Sequence, residues 1–310
     1  MQTWTHGGEH AMDWLGDGQA APLKEKTFMR LRTRSRIRSV LVGEIAVTYL
    51  PDGMVPINPV WLYPEMTEKD WSRNYPEYLD SRGYLTVSSG ALLIENGDRA
   101  MLLDAGYGPF SPSASRADSL VGAISSGELL ASLASAGRKP EDIEAIAFSH
   151  LRMDHVGWAA LPRLSNPFWD ATCLVHEPEW RNRESAGVST GMLSSLEARA
   201  ATVADGEEIF PGVRVQALPG HTQGHAGFRI SSLGQELIAF GDVMYSPYQV
   251  VHPELKMFGD SDYDSARQSR FQIVAELAAT GKIGYGCHFA DVVFGRVQHT
   301  GTTMAWIPLP

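Results

Sequence analysis

The sequence contains few cysteines and no long apolar run. Cys173 and Cys287 are the two cysteines among 310 residues, too few for the disulfide framework of a secreted scaffold, which favours a reducing compartment. No segment approaches the roughly 18 uninterrupted apolar residues that a membrane-spanning helix needs. The first residues also lack the cationic start and apolar stretch of a secretory signal. Together these features predict a cytoplasmic protein.

Basic side chains are also in the minority. Lys and Arg total 26 against 36 Asp and Glu, which gives a formal net charge of −10 at pH 7. Such a surface repels phosphate backbones and anionic lipids, so the charge argues against a nucleic-acid partner and against a membrane-surface role. The partner class that remains is a small-molecule substrate.

The apolar patterning predicts a mixed α/β protein. Residues 38–50 have a strand pattern that ends at a turn over 51–53, and residues 56–80 are too rich in proline for a long helix and predict an aromatic loop. The remaining pattern predicts strands at 85–95, 100–104, 143–149, 172–176, 213–218, 227–231, 236–240 and 283–287, and helices at 118–137, 190–203 and 264–280. Strands followed by a helix and a strand occur twice, so we predict a single domain, residues 38–310, with two β-sheets face to face and helices outside. Residues 1–37 are predicted to form an N-terminal arm.

Four short segments follow predicted strands and each carries candidate metal ligands. They are residues 149–155, 219–225, 240–242 and 287–289. Imidazole and carboxylate together suit zinc, manganese or iron. Asp242 at a buried strand end would be costly without a cation nearby, so a metal site is predicted. The candidate ligands are His150, Asp154, His155, His221, Asp242 and His288.

These segments resemble the metallo-β-lactamase-fold hydrolases, whose signature His-x-His-x-Asp-His is followed by Gly-His-Thr, Gly-Asp and a late His. Residues 104–106, Asp-Ala-Gly, resemble the early Asp-x-Gly turn of that family. The resemblance extends from about residue 40 to about residue 297. It implies an αββα sandwich of two mixed sheets, with the site at one edge between them. The segments at 252–253, 264–270 and 287–289 are most similar to the methyl parathion hydrolase and quorum-quenching lactonase branch.

The resemblance also implies two metal positions, filled by zinc, with manganese or iron as alternatives. One position would use His150 and His221, and Asp242 would bridge to the other. The second position would use Asp154, His155 and His288. Asp104 would orient the ligand loop rather than touch a metal. The branch resemblance, with the N-terminal arm, makes a homodimer an expectation.

Arg152 departs from the family pattern, because it stands where the second histidine of the signature would be. A guanidinium is always charged and does not ligate metals. The first position therefore keeps at most His150, His221 and Asp242.

Three outcomes stay open for this altered site. In the first, one metal binds at Asp154, His155 and His288 with Asp242, and Arg152 supplies the charge of the missing ion. In the second, a mononuclear non-haem iron binds the two-His-one-carboxylate set, as in the persulfide dioxygenases of the same superfamily, and the protein is an oxidoreductase. In the third, Arg152 pairs with an acidic residue and the protein is a non-catalytic binding or biosynthetic protein.

The first outcome predicts a metal-dependent hydrolase, with a lactone or ester as the first choice of substrate and a thioester or organophosphate also compatible. A metal-activated water would attack a carbonyl or phosphoryl centre, Asp154 would orient it, and Arg152 with the metal would stabilise the developing oxyanion. Candidates to line the substrate pocket are Trp158, Tyr245, Tyr248 and His252, with ordinary packing as the alternative.

Three residues near the ligand segments are expected to be structural. His225 is predicted to be a buried histidine bonded to backbone, and Cys287 a packed thiol turned away from His288 by strand alternation. His176 is predicted to be a helix cap or a surface residue.

Overall fold

A computed structural model describes residues 27–109, 120–301 and 303–310. The first of its two sheets contains seven strands in sequential order. They are β1 (Arg38–Val42), β2 (Ile45–Ile57), β3 (Leu85–Asn96), β4 (Arg99–Leu103), β5 (Ile143–Phe148), β6 (Thr172–His176) and β7 (Ala200–Val203). Strands β1 to β4 pair antiparallel, whereas β4 to β7 pair parallel. The carboxyl ends of β4, β5 and β6 therefore meet at one edge of the sheet.

The second sheet also has seven strands, in the order β14-β13-β12-β11-β10-β9-β8. They are β8 (Glu208–Phe210), β9 (Val213–Ala217), β10 (Ala226–Ser232), β11 (Gln235–Ala239), β12 (Ile283–Tyr285), β13 (Phe294–Thr300) and β14 (Thr303–Pro308). β11 and β12 pair parallel, and the other neighbours pair antiparallel. The parallel pair sends the segments that carry Asp242 and His288 out of the same edge.

Nine α-helices lie among the described residues. They are α1 (27–31), α2 (Pro59–Leu62), α3 (Glu68–Asn74), α4 (Leu129–Ser135), α5 (Met153–Val156), α6 (Glu177–Arg181), α7 (Thr190–Glu197), α8 (Tyr248–Val251) and α9 (Tyr263–Thr280). Of these, α4, α7 and α9 cover outer faces of the sheets. The side chain of Asp262 caps the start of α9 by accepting from two backbone N–H groups, and α9 ends at Gly281, whose φ is +63°. None of the described helices is long and apolar enough to cross a membrane.

Three buried clusters hold the layers together. Between the sheets, Val47 and Met101 of the first sheet share a cluster with Phe228 and Leu237 of the second. A second cluster joins the first sheet to α4 and α7, and a third joins the second sheet to α9 and to the aromatic segment that follows β2. Because each sheet buries both faces, the predicted αββα sandwich is confirmed.

Several predicted elements need correction. Residues 38–50 form parts of two strands that turn at Gly43, whose φ is +59°, and the predicted turn at 51–53 is a bulge inside β2. Residues 190–203 divide into α7 and β7 rather than one helix. These differences arise because strand pairing overrides local propensity.

Two further elements also differ from prediction. In the segment 118–137, helix forms over Leu129–Ser135, while residues 121 and 125 bridge to β2; residues 118 and 119 lie outside the described range. Residues 56–80 contain α2 and α3, which are capped by Asn58 and Thr67. Residues 1–26 of the predicted arm also lie outside the described range.

Candidate metal centre

The six predicted ligands meet at the shared edge of the two sheets. Asp242 lies at the centre, with Oδ1 at 3.0 Å from His288 Nε2 and 3.3 Å from His155 Nε2. Its Oδ2 lies 3.1 Å from His221 Nε2 and 3.5 Å from His150 Nε2. Asp154 Oδ2 completes the group at 3.6 Å from His155 Nε2 and 3.7 Å from His288 Nε2. These donors from distant parts of the chain thus face a common point.

Tight backbone turns aim these side chains. Gly241 precedes Asp242 with a φ of +53°, and a Cβ there would lie 2.6 Å from His225 Nε2. Gly220 precedes His221 with a φ of +130°, and its Cβ would lie 2.0 Å from the Ala266 backbone nitrogen. Both positions therefore need glycine for the conformation and for the close approach.

Several buried polar atoms of the centre have no hydrogen-bond partner among the described residues. They are His150 Nε2, His155 Nε2, His288 Nε2 and Asp242 Oδ2. Buried polar atoms are rarely left unpaired, and each such atom deserves an explanation. Imidazole nitrogens that converge on a buried carboxylate suit a divalent metal ion such as zinc. The donor set therefore fits a metal centre.

In His155 and His288, the ring nitrogen that points away from the centre, Nδ1, is hydrogen-bonded to a group outside it. His155 Nδ1 donates to Asp104 Oδ2 at 2.9 Å, and His288 Nδ1 donates to the Ser88 carbonyl oxygen at 2.7 Å. Such outer bonds fix the tautomer and leave Nε2 free to face a metal. The contact agrees with the orienting role predicted for Asp104, which also accepts from the backbone N–H of Ser149.

The buried charges shift the pKa values of the cluster. Burial would raise the pKa of Asp242, but the surrounding histidines hold it well below the usual range. Burial would lower the pKa of His155, yet Asp242, Asp104 and Asp154 outweigh it and raise that pKa well above its ordinary value. Burial, together with the neighbouring His155, lowers the pKa of His150 well below its ordinary value. An ionised Asp242 is therefore the anchor of the site.

Arg152 extends from the loop after β5 into the same centre. Its Nη1 lies 2.6 Å from His221 Nε2, and its Nη2 donates to the Gly259 carbonyl oxygen at 2.6 Å. The other ring nitrogen of His221 lies 3.2 Å from Asp260 Oδ1. Asp260 in turn accepts from Arg270 Nη2 at 3.1 Å, and Arg270 is fully buried.

Sequence reasoning missed the residues that support the ligand loops: Glu179, Asp260 and Arg270. Arg270 gives a signal, since it is a charged residue on the buried face of α9, whereas Glu179 in the polar helix α6 and Asp260 in the loop before α9 give none. His176 occupies the N-cap position of α6, as one of its two predicted alternatives has it, but it is buried rather than at the surface, and its Nδ1 donates to the Gly224 carbonyl oxygen at 2.8 Å instead of capping the helix.

His225 and Cys287 are both buried beside Asp242. His225 donates from Nδ1 to the Leu218 carbonyl oxygen at 3.0 Å and accepts from the Asp242 backbone N–H at 3.0 Å, which agrees with the predicted structural role. Burial lowers its pKa to about 3. Cys287 packs in the core between the sheets, but its Sγ lies 3.5 Å from Asp242 Oδ1. The expectation that it turns away from the site is wrong, because β12 ends at Tyr285 and strand alternation no longer applies.

Of the predicted pocket residues, Tyr245 lies against the centre. Its ring centroid is 4.4 Å from that of His288 and 5.8 Å from that of His221. Tyr248 packs in an aromatic cluster with Trp71 and Tyr75.

The other two predicted pocket residues have different partners. His252 bonds to the Tyr75 hydroxyl at 3.0 Å. Trp158 packs in the core outside the first sheet and donates to Asp52 Oδ1 at 2.8 Å, which corrects its assignment to the pocket.

Two neighbouring cavities lie beside the segment 245–248, and the inner one reaches the candidate ligand His288. The inner one is bounded by Tyr245 and His288 at one end and by Leu31, Leu85 and Val87 along its walls. The outer one is lined mainly by apolar and aromatic residues, including Phe28, Tyr248 and Trp306. The two share the lining residues Leu31, Tyr78 and Pro247. The space beside His288 is therefore lined mainly by apolar side chains.

The fold and the donor cluster define a metal-binding protein of the αββα-sandwich class. A family model described as the metallo-beta-lactamase superfamily matches residues 86–280. The chain therefore belongs to the metallo-beta-lactamase superfamily, as the sequence motifs predicted. No curated protein matches the sequence.

Solved structures of the same fold cover nearly the whole chain. AidC, a dizinc quorum-quenching lactonase in complex with its product, has a TM-score of 0.76 at 22% identity over 89% of this chain and 98% of its own. The hydrolase AbOPH has a TM-score of 0.72 at 22% identity over 90% of this chain and 99% of its own. A probable metal-dependent hydrolase from Staphylococcus aureus has a TM-score of 0.74 at 18% identity over 87% and 99%. The likeness establishes the shared fold.

Proposed function

We propose that this protein is a metal-dependent hydrolase that cleaves a lactone or carboxylic ester bearing an apolar substituent. The observation that carries the proposal is the convergence of His155 Nε2 and His288 Nε2, both buried without a partner among the described residues, on the carboxylates of Asp242 and Asp154. The hydrolases of the same fold support the reaction class.

Asp154, His155, His288 and Asp242 would hold the metal ion, and zinc suits this set of nitrogen and oxygen donors. When bound, such an ion lowers the pKa of a water molecule and polarises a carbonyl or phosphoryl group. The side chain of Asp154 is 21% exposed, whereas that of Asp242 is fully buried. Of these two carboxylates, Asp154 is therefore the one that water can reach, and we assign it the role of orienting the attacking water.

Tyr245 is placed to bind the substrate carbonyl oxygen. Burial, with the nearby charges of Asp242 and Asp154, raises the pKa of the Tyr245 hydroxyl well above its ordinary value. The hydroxyl therefore stays protonated at neutral pH and can donate a hydrogen bond to an oxygen that gains charge.

The apolar cavities support a substrate with an apolar substituent. The walls next to His288 are formed by Leu31, Leu85 and Val87, and such a surface favours an alkyl or acyl chain over a charged group. AidC was solved with the product N-hexanoyl-homoserine, which supports a lactone as the first substrate class to test.

The direct test is hydrolysis of a series of N-acyl lactones and p-nitrophenyl esters of graded chain length by the zinc-loaded protein. We expect turnover that disappears on dialysis against a chelator, returns with zinc and is lost in Asp154→Asn. An oxidoreductase with mononuclear iron is the competing function from the sequence, and the Arg152 contact to His221 Nε2 disfavours it because that nitrogen would be an iron ligand. Zinc-loaded protein inactive on every member of both series, or activity unchanged by metal removal, would overturn the proposal.

A further inference from the structure

His221 differs from the other candidate histidine ligands. The Nε2 atoms of His150, His155 and His288 are buried without a hydrogen-bond partner among the described residues, whereas Nε2 of His221 lies 2.6 Å from Arg152 Nη1. Arg152 has donors but no acceptor, so the lone pair of His221 Nε2 must accept this bond. A lone pair that accepts from a guanidinium is not free for a metal.

The outer contact of His221 fixes the required tautomer. Its Nδ1 lies 3.2 Å from Asp260 Oδ1, and a carboxylate accepts the proton at that nitrogen. Nε2 is then the acceptor nitrogen of the ring. Asp260 is itself held by Arg270, which also donates to the carbonyl oxygens of Val243 and Leu255 at 2.9 and 2.7 Å. The ring of His221 is therefore held by a buried chain of charge-assisted hydrogen bonds.

The guanidinium also has a second anchor. Arg152 Nη2 donates to the Gly259 carbonyl oxygen at 2.6 Å, and a Cβ on Gly259 would lie 3.1 Å from Arg152 Nη1. Gly259 has a φ of +102°, so both its conformation and its contact favour glycine. Asp242 Oδ2 lies 3.1 Å from the same His221 Nε2, which brings the central carboxylate close to the Arg152 charge.

We infer that Arg152 replaces the first metal ion of this fold, and that His221 anchors the guanidinium instead of binding metal. The inference rests on the proposed function only in that a metal ion binds at the other position. His150 Nε2 also has no hydrogen-bond partner among the described residues, but once His221 is bonded to Arg152 the first position keeps His150 and Asp242 alone, and two protein donors are fewer than a zinc site uses. The chain then binds a single metal ion, at Asp154, His155, His288 and Asp242.

The test is metal analysis of protein loaded with excess zinc, passed through a desalting column and measured by plasma mass spectrometry. His221→Ala and His288→Ala are a matched pair, since each deletes one imidazole of the centre. We expect about one zinc per chain in the wild type and in His221→Ala, and close to none in His288→Ala. His221→Gln, whose amide oxygen can still accept from Arg152, provides a second variant if the alanine chain does not fold.

Arg152→His tests the inference in the opposite direction, because it puts a metal-binding side chain back at the first position. It should raise the content toward about two zinc ions per chain, and His221→Ala in that background should return it to about one. The visible spectrum of the cobalt-loaded chains should show the same change in stoichiometry. Two zinc ions in the wild type, or loss of zinc in both folded His221 variants, would overturn the inference. Correct stoichiometry without hydrolysis would contradict the proposed function and leave this inference standing.

Discussion

Glu179 accepts a hydrogen bond from the Thr222 hydroxyl at 2.6 Å through one carboxylate oxygen, and through the other it accepts from the Leu151 backbone N–H at 2.9 Å. Leu151 follows His150 and Thr222 follows His221, so one buried carboxylate joins two ligand loops that are distant in sequence. Gly224 packs directly on this segment, because a Cβ there would lie 1.9 Å from the Glu179 nitrogen.

Removal of this carboxylate should destabilise the centre. We predict that Glu179→Ala lowers the free energy of unfolding of the metal-free protein by about 1–3 kcal/mol, because the buried Leu151 N–H loses its acceptor. The measurement is urea denaturation followed by circular dichroism. Glu177→Gln is the matched control, since that exposed residue pairs with Arg181 in an i,i+4 bridge and should change stability by less than about 0.5 kcal/mol. Equal effects in the two variants would show that the hydrogen bonds of Glu179 to the two loops do not stabilise the protein.

Asp291 should hold residues 27–38 against the domain. Its buried carboxylate accepts from Arg38 Nη2 at 2.5 Å and from the Arg36 backbone N–H at 3.1 Å, while its backbone carbonyl accepts from Arg30 Nη2 at 2.7 Å. We predict that Asp291→Ala lowers the free energy of unfolding by about 2–3 kcal/mol. This value lies at or below the usual cost of breaking a buried ion pair, because Arg38 is partly exposed.

The same substitution should speed limited tryptic cleavage within residues 30–38. Asp98→Asn, in the exposed turn between β3 and β4, is the control and should cleave at the wild-type rate. Unchanged cleavage of Asp291→Ala would show that other contacts hold the segment.

Leu31 should set the length of the apolar group that the cavity accepts. It lines both the inner and the outer cavity and is 7% exposed. We predict that Leu31→Trp lowers kcat/KM for long-chain substrates by about 10-fold or more, with little change for short ones. Met29→Trp, on the same helical turn but 62% exposed, is the control. A uniform loss across all chain lengths would point to a structural effect instead.

His225 should contribute to acid sensitivity. Its folded pKa is lowered to about 3 from an ordinary value of 6.5, first by burial and then by His221. Between these values the unfolded chain binds a proton that the folded chain does not, so stability from this group is present above about pH 6.5 and is lost as the pH falls. We predict that the free energy of unfolding of the metal-free wild type rises with pH by up to about 1.4 kcal/mol per pH unit between these two pKa values, and that this slope is smaller in His225→Gln. Exposed His299→Gln is the control and should keep the wild-type slope.

Much of the fold could be predicted from the sequence, because the strands that frame the centre are buried and strongly patterned. Thr172–His176 and the long helix at 263–280 match their predicted spans closely. The candidate ligands could also be brought together from the sequence, since His150, Asp242 and His288 each follow a short apolar strand. Parallel pairing of β11 with β12 then places Asp242 beside His288.

The supports of the site could not be predicted, because their partners are far apart in sequence. The partners of Glu179 lie 28 and 43 positions away in the sequence. Those of Asp260 lie 10 and 39 positions away. The Pro-Asp-Gly sequence at 51–53 is typical of a turn. The structure has a bulge there instead, because the buried Asp52 carboxylate accepts from the backbone N–H groups of Tyr107 and Leu129.

The most direct test of the account is an anomalous difference map at the zinc edge from crystals of zinc-loaded protein. The account predicts one peak per chain, at about 2.0–2.2 Å from Nε2 of His155 and His288 and from carboxylate oxygens of Asp154 and Asp242. The same map should show Arg152 still bonded to His221. A peak bound by His150 and His221, or no peak beside His288, would contradict it.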